Sequence, residues 1–312
     1  MKCILVTTWE DGLFVIAGSD SQHELAGHSV RGLAPDRNAG TLAIIDGHEL
    51  RQRNAAGEWR TLATSKLDLS CCVSVTGVIY VGTDDARVLR VTTNGELEDL
   101  TGFANTAGRD KWYAGAAIVD GKLMGPPLGI RSMTATCDGT ALLANVHVGG
   151  IPRSVDDGMT WHPTIDINDD VHEVRAHESR PDIVIAAAAT GLGISRDGGA
   201  TWTVERDGLH ATHCSAVAFA GDDILVSASE DPFSPQGAVY RRPLDGMGPL
   251  QRLGGGLPQW LERRVDTGCI ATRGSAIALA DGGGNLYLSQ DAARTWSRVA
   301  DHLPAPSGVL IV

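Results

Sequence analysis

The sequence predicts an all-β chain folded as a seven-bladed β-propeller, each blade a four-stranded antiparallel sheet, closed by pairing of the C-terminal strand with the N-terminal strands. Three observations carry this. A turn sequence recurs: Ser154-Val-Asp156-Asp-Gly158-Met-Thr160-Trp161 and Ser195-Arg-Asp197-Gly-Gly199-Ala-Thr201-Trp202 both read S-x-D-x-G-x-T-W. Ser289-Gln-Asp291-Ala-Ala293-Arg-Thr295-Trp296 follows the pattern with alanine for glycine, and Asn54-Ala-Ala-Gly57-Glu-Trp59 is a weaker copy. Seven runs of small and β-branched residues, starting near Val30, Ser70, Ser132, His172, Cys214, Thr267 and Ser307, lie 40, 62, 40, 42, 53 and 40 residues apart, against about 40 to 45 residues for one four-stranded blade. Finally, the 312 residues include 38 Gly, and 7 Trp outnumber the 4 Tyr and 4 Phe, as expected of many tight turns and a large side chain used repeatedly.

The elements follow in order. Each unit reads as a first strand of small residues, a second and a third strand, the turn, and a fourth strand. The last run, at Ser307, has room for one strand only, whereas the N-terminus offers Cys3 to Thr8, Gly12 to Gly18 and His23 to Ala26 with no first strand before them. Joining the two completes a blade and leaves no open edge. The expected organisation is one domain over 1–312, with blades at 307–312 plus 1–27, 28–67, 68–129, 130–169, 170–211, 212–264 and 265–306. In the turn, a short Ser or Asp side chain bonds nearby backbone amides, glycine supplies unusual dihedrals, and tryptophan enters the next strand.

The recurring turns resemble the Asp-box, or BNR repeat, and the chain resembles the Asp-box β-propellers that include sialidases, sortilin-like receptors and a photosystem assembly factor. The resemblance implies structural turns facing away from the catalytic side. It also suggests either glycoside hydrolysis or an assembly scaffold. Sialidases carry an Arg-Ile-Pro motif, an arginine triad and a tyrosine nucleophile with an acidic partner. Here Ile151-Pro152-Arg153 reverses that order, and of the four tyrosines only Tyr113 falls at the expected mouth.

Charge narrows the partners. Lys plus Arg is 26 against 38 for Asp plus Glu, a formal net charge of −12, the wrong sign for tracking a phosphate backbone or an anionic membrane. A small polar or anionic molecule is the expected ligand, with no nucleic acid and no membrane, and a protein partner under the scaffold reading. Met1 to Val6 is too short an apolar run for a signal peptide, so a cytoplasmic location is expected. The six cysteines form no CxxC pair; those at 71, 72, 137, 214 and 269 are expected on first strands as small packing residues.

The connections between blades and between second and third strands are expected to meet at one mouth of a channel, the usual ligand pocket. Two insertions fall there, 101–129 and the stretch around Ser229 to Gly237 with Asp245 to Arg264. Five of the ten histidines do too: His28, His147, His172, His210 and His213. His147, His172 and His213 on three consecutive blades form the candidate metal set, since neutral imidazole suits a divalent metal. His172, His213 and Glu173 are the candidate acid/base groups, with Asp170 and Glu173 either ligands or partners of the imidazoles. Arg131, after Gly125-Pro126-Pro127, could clamp an anion bidentately, and Asn145, Trp112 and Arg109 complete the candidate substrate contacts. The expected activity is hydrolysis or elimination on a small polar or anionic substrate. The alternatives are a non-catalytic scaffold and a glycoside hydrolase using Glu230 and Asp266.

Overall fold

The computed structural model describes residues 3–36, 40–114, 117–119, 122–124 and 128–312. Apolar and β-branched runs become buried strands, and the glycine-bearing segments between them become turns. The result is a seven-bladed β-propeller of antiparallel four-stranded sheets, with no α-helix among the described residues. The sheets open with the strands Ile4–Thr8, Val30–Asp36, Leu69–Val75, Ile130–Ala135, Val171–Ala176, His213–Ala220 and Ile270–Arg273. The sheet of His213–Ala220 takes a fifth short strand, Leu261–Glu262, paired with Gln236–Pro243. The insertion after Asp99 contributes 3-10 turns at Thr101–Asn105 and Arg109–Lys111 and a separate hairpin, Ala117–Val119 with Lys122–Met124. Gly125, Pro126 and Pro127, singled out ahead of Arg131, lie outside the described residues.

By internal contacts the chain divides into two compact units. The first is Met1–Leu33 with Ala187–Leu192 and Val204–Val312; the second is Ala34–Ala186 with Gly193–Thr203. The first unit packs a core around Val6, Leu225, Leu279 and Val309. The second packs one around Phe103, Ile130 and Val146 and another around Leu42, Ile44 and Val81.

Within the first unit the C-terminal strand Pro306–Ile311 completes the N-terminal sheet. Ile4, Leu5, Val6 and Thr7 pair antiparallel with Ile311, Leu310, Val309 and Gly308, and Cys3 and Val312 exchange backbone hydrogen bonds of 3.2 and 2.8 Å. The Ser307 hydroxyl also bonds the Val30 carbonyl.

The three recurrent turns share one hydrogen-bond scheme. Ser154 Oγ accepts the Gly158 amide at 2.9 Å and donates to Asp156 Oδ1 at 2.8 Å. Asp156 in turn accepts the amide and hydroxyl of Thr160 at 2.8 and 2.6 Å. Ser195, Asp197 and Thr201 repeat the scheme, as do Ser289, Asp291 and Thr295. The Thr160 donors hold the Asp156 carboxyl at about 2, and those of Thr295 do the same for Asp291. The third turn differs at the glycine position. Gly158 and Gly199 have φ of 85°, and Ala293 is forced to φ 66° in their place.

Cys71, Cys72 and Cys214 are buried on first strands, and Cys269 is buried immediately before Ile270. Cys137 corrects the expectation: it sits in the turn after Ala135 and is half-buried, because Thr136 and Asp138 bend the chain there through their own side-chain bonds. None of the six is in a disulfide.

Two outcomes are expected. Deleting residues 307–312 strips the edge of Ile4–Thr8 and opens the core beneath Val309, so the truncated chain should lose cooperative urea unfolding or aggregate; one that melts like the full chain contradicts this closure. Ala293→Gly removes a left-handed alanine costing about 1–2 kcal/mol, less the entropy glycine adds to the unfolded chain. It should therefore raise stability by about 0.5–1 kcal/mol in urea titrations.

Candidate functional site

The second unit gathers His147, Asp170 and His172 into one group. One nitrogen from each imidazole and one carboxylate oxygen lie within 4.8 Å of one another. His147 Nε2 is 3.5 Å from Asp170 Oδ1, and His172 Nε2 is 3.6 Å from Asp170 Oδ2. The imidazoles are nearly sealed, with side chains 5% and 4% exposed, whereas that of Asp170 is 29% exposed and forms the open side.

Local backbone chemistry builds this arrangement. Asp166 caps a one-turn 3-10 segment, Ile167–Asp169, by accepting the Asn168 amide, and Asp170 ends it in the left-handed conformation at φ 48° and ψ 75°. Asp is among the few residues that tolerate this conformation. His172 follows on Val171–Ala176 as a buried strand residue. His147 follows the strand Leu142–Val146, its amide bonded to Gly129 O at 3.0 Å, in a tight turn closed by the Val146–Gly150 pairing. The next residue, Val148, is buried at φ 46°, a genuine strain for a β-branched side chain.

Electrostatics keep Asp170 charged. Burial opposes ionisation, but His172, His147 and Arg131 outweigh it and bring the carboxyl down to about 2. Asp170 Oδ1 is nevertheless buried with no hydrogen-bond partner among the described residues. The separations of 3.5 and 3.6 Å exceed a normal N–H···O bond. Each runs to a different carboxylate oxygen, and they are close to the spacing of about 3.4 Å between ligand atoms held at about 2.0–2.1 Å around one tetrahedral ion. Two imidazoles and one carboxylate are a donor set suited to a first-row divalent metal, with coordination positions left for water or substrate.

The other expected site residues are distributed differently. Arg131 sits at a β-bulge, where Ile130 pairs with Val146 and Ser132 with Asn145, and its charge reaches Asp170. Asn145 is fully buried and donates Nδ2 to Ser132 Oγ at 3.4 Å. Glu173 accepts Arg175 Nε at 2.7 Å; being adjacent to His172 on a strand, it takes the opposite face, away from the imidazole. His213 opens its strand in the first unit and is no member of the group, in which Asp170 stands instead. Asp266 accepts Arg264 Nη2 at 2.7 Å and the Thr267 amide at 2.8 Å, a turn and ion-pair role.

Arg109 and Trp112 form part of a core. Trp112 is 7% exposed and packs on Phe103, and the Arg109 guanidinium lies 4.9 Å from the Trp112 ring centre and 5.7 Å from that of Phe103. Burial lowers the Arg109 pKa. Trp112 presses on the turn that carries His147 so closely that a Cβ on Gly149 would meet its ring at 3.0 Å and Val146 Cγ1 at 2.5 Å. Tyr113 N also bonds Val148 O at 3.4 Å. These residues therefore support His147 from behind.

No family model and no curated relative matches the sequence. Among solved structures the chain is similar to an ancestral GH74 enzyme, with TM-score 0.64 and 14% identity over 99% of this chain and 40% of that one. It is also similar to the computationally designed Ika8 protein, at TM-score 0.58 and 10% identity over 97% and 85% of the two chains. A third likeness is to PorZ, an essential bacterial surface component of the type-IX secretion system of Porphyromonas gingivalis, at TM-score 0.55 and 12% identity over 87% and 33%. At these identities the likeness is one of fold. The chain spans 40% of the length of the GH74 enzyme.

Trp112→Ala should cost about 3–5 kcal/mol, the range for truncating a buried aromatic, and should release the His147 turn. Chemical denaturation checks the first effect. Faster amide hydrogen exchange over residues 146–150 checks the second.

Proposed function

We propose that the protein is a metal-dependent hydrolase or lyase acting on a small anionic substrate. His147 Nε2, His172 Nε2 and the Asp170 carboxylate would hold the divalent cation. The observation that carries this reading is the Asp170 carboxylate, its pKa held down to about 2, set 3.5 and 3.6 Å from two nearly enclosed imidazoles. A bound divalent ion supplies Lewis acidity and lowers the pKa of bound water toward neutrality. The chain's own groups do the rest. Arg131, whose charge already acts at Asp170, orients an anionic substrate, and the nearly sealed imidazoles leave the Asp170 side as the approach. The donor set also contains no thiolate, so it favours no soft metal. The acidic net charge and the absence of disulfides fit a small-molecule enzyme of a reducing compartment, with neither nucleic acid nor membrane as partner. Among the described residues no helix is long and apolar enough to cross a membrane.

Metal analysis of protein purified without a histidine tag tests the reading. About one divalent ion per chain is expected. Occupancy should fall at least about tenfold in His147→Ala, His172→Ala and Asp170→Asn, since even outer-shell losses cost that much. A chelator should lower the melting temperature of the wild type and leave the three variants unmoved. Metal-free protein whose melting temperature ignores added zinc and manganese would remove the main support.

A further inference from the structure

The first unit carries a second group of polar and aromatic side chains that the proposed reaction does not use. Arg252, on the short strand Gln251–Arg252, lays its guanidinium 4.0 Å from the centre of the Trp260 ring. The His210 imidazole meets the same indole edge to face at 4.8 Å. Tyr240, buried on Gln236–Pro243, touches His210 twice: its hydroxyl accepts the His210 amide at 3.3 Å and lies 2.7 Å from Nδ1.

The Tyr240 oxygen accepts the backbone N–H and can donate its own proton to Nδ1, the assignment that uses both groups. His210 is then the Nε2–H tautomer, with Nε2 its donor. Burial, together with the positive charge of Arg252, lowers the His210 pKa, with Glu230 opposing. His210 and Glu230 are exposed, and Arg252 and Trp260 are half-buried.

Arg252 stands outside the ion pairs that hold many of this chain's arginines. Arg51, Arg87, Arg90, Arg175, Arg241, Arg242, Arg264 and Arg298 each pair with a carboxylate. No carboxylate lies within ion-pair reach of Arg252 among the described residues, although the net charge is −12. Its Nη2 is enclosed with no hydrogen-bond partner among the described residues. The guanidinium is thus braced by stacking and leaves N–H groups available, a preorganised arrangement that costs little on binding.

We propose that Arg252, His210 and Trp260 form a binding site for a small oxyanion, a carboxylate or phosphate group. The guanidinium supplies the charge and planar donors, His210 Nε2–H a further donor, and the indole fixes the guanidinium plane.

Isothermal titration calorimetry of the full chain with sodium phosphate and, separately, sodium acetate tests this and distinguishes the two anions. Saturable one-site binding by at least one of them is expected, with Kd at or below about 1 mM. Arg252→Gln and His210→Gln should each weaken it at least about tenfold, and Glu230→Gln, which removes a nearby negative charge, should tighten it a few-fold. His172→Ala should bind as the wild type, which separates this site from the proposed metal group. Should Arg252→Gln fail to fold, Arg252→Lys keeps the charge but loses the planar fork and should still weaken binding several-fold. The proposal is overturned if neither anion binds more tightly than about 10 mM, if folded Arg252 and His210 variants bind like the wild type, or if His172→Ala alone abolishes binding.

Discussion

The structure depends on how the free edge of each sheet is satisfied. In six of the sheets the first strand, and in the N-terminal sheet Pro306–Ile311, is hydrogen-bonded on one side only, and an unpaired edge buried away from water costs about as much as the bonds it lacks. Here hydroxyls of a neighbouring strand take up the edge. Ser70 Oγ donates to Ile130 O at 2.6 Å; Ser132 Oγ and Thr134 Oγ1 accept the amides of Val174 and Ala176 at 3.0 and 3.1 Å. In the other unit Thr267 and Thr272 donate to Ser215 O and Phe219 O. A hydroxyl both donates and accepts over a short reach, so it can pair whichever edge group it meets. Large side chains would hold the strands too far apart for these bonds. Ser, Thr, Cys, Ala and Val accordingly recur in the first strands, as in Leu69–Val75 and His213–Ala220.

The same bonds set the geometry of the candidate site. The Val174 to Ser132 bond fixes the register of Val171–Ala176 against Ile130–Ala135, and His172 lies two residues from that bond. Ser132 also takes the Asn145 amide, two residues before His147, so one hydroxyl ties together the strands bearing both imidazoles. The bulge between Ile130 and Ser132 places Arg131 beside this junction, where its charge stabilises the Asp170 carboxylate.

The blades were legible because their signals are local. The S-x-D-x-G-x-T-W turn specifies its own hydrogen bonds within eight residues, and a small-residue run at about 40-residue intervals marks each edge strand. Thr136, Asp138 and Thr140 use a related scheme without the tryptophan, and so escaped the pattern. The site was legible in part. His147 and His172 stood out as histidines at strand ends, but alignment gives the end of a strand on which a residue lies and not its lateral reach, so His213 looked equivalent to them. Asp170 read as either a ligand or a partner of the imidazoles, undecided because its position depends on one left-handed residue after a three-residue 3-10 turn, which no periodicity announces. Arg109 and Trp112 read as a polar lid, because sequence does not reveal that the guanidinium packs over two rings.

The strain at Val148 shows what holds this arrangement before any ligand arrives. A left-handed valine costs about 1–2 kcal/mol, and Gly149 and Gly150 follow it directly, so a turn that merely joined two strands had cheaper sequences within reach. Val148 is 3% exposed, and burying its side chain contributes about 1.5–3 kcal/mol, enough to offset the strain. Trp112 and the Tyr113 to Val148 hydrogen bond press on the same turn. His147 is therefore held by packing, and Asp170 by its own backbone conformation, rather than by each other at 3.5 Å. Groups fixed in this way would meet a cation with little entropy left to lose, and under the proposed metal role the open side at Asp170 would serve exchange while the buried imidazoles stay in place.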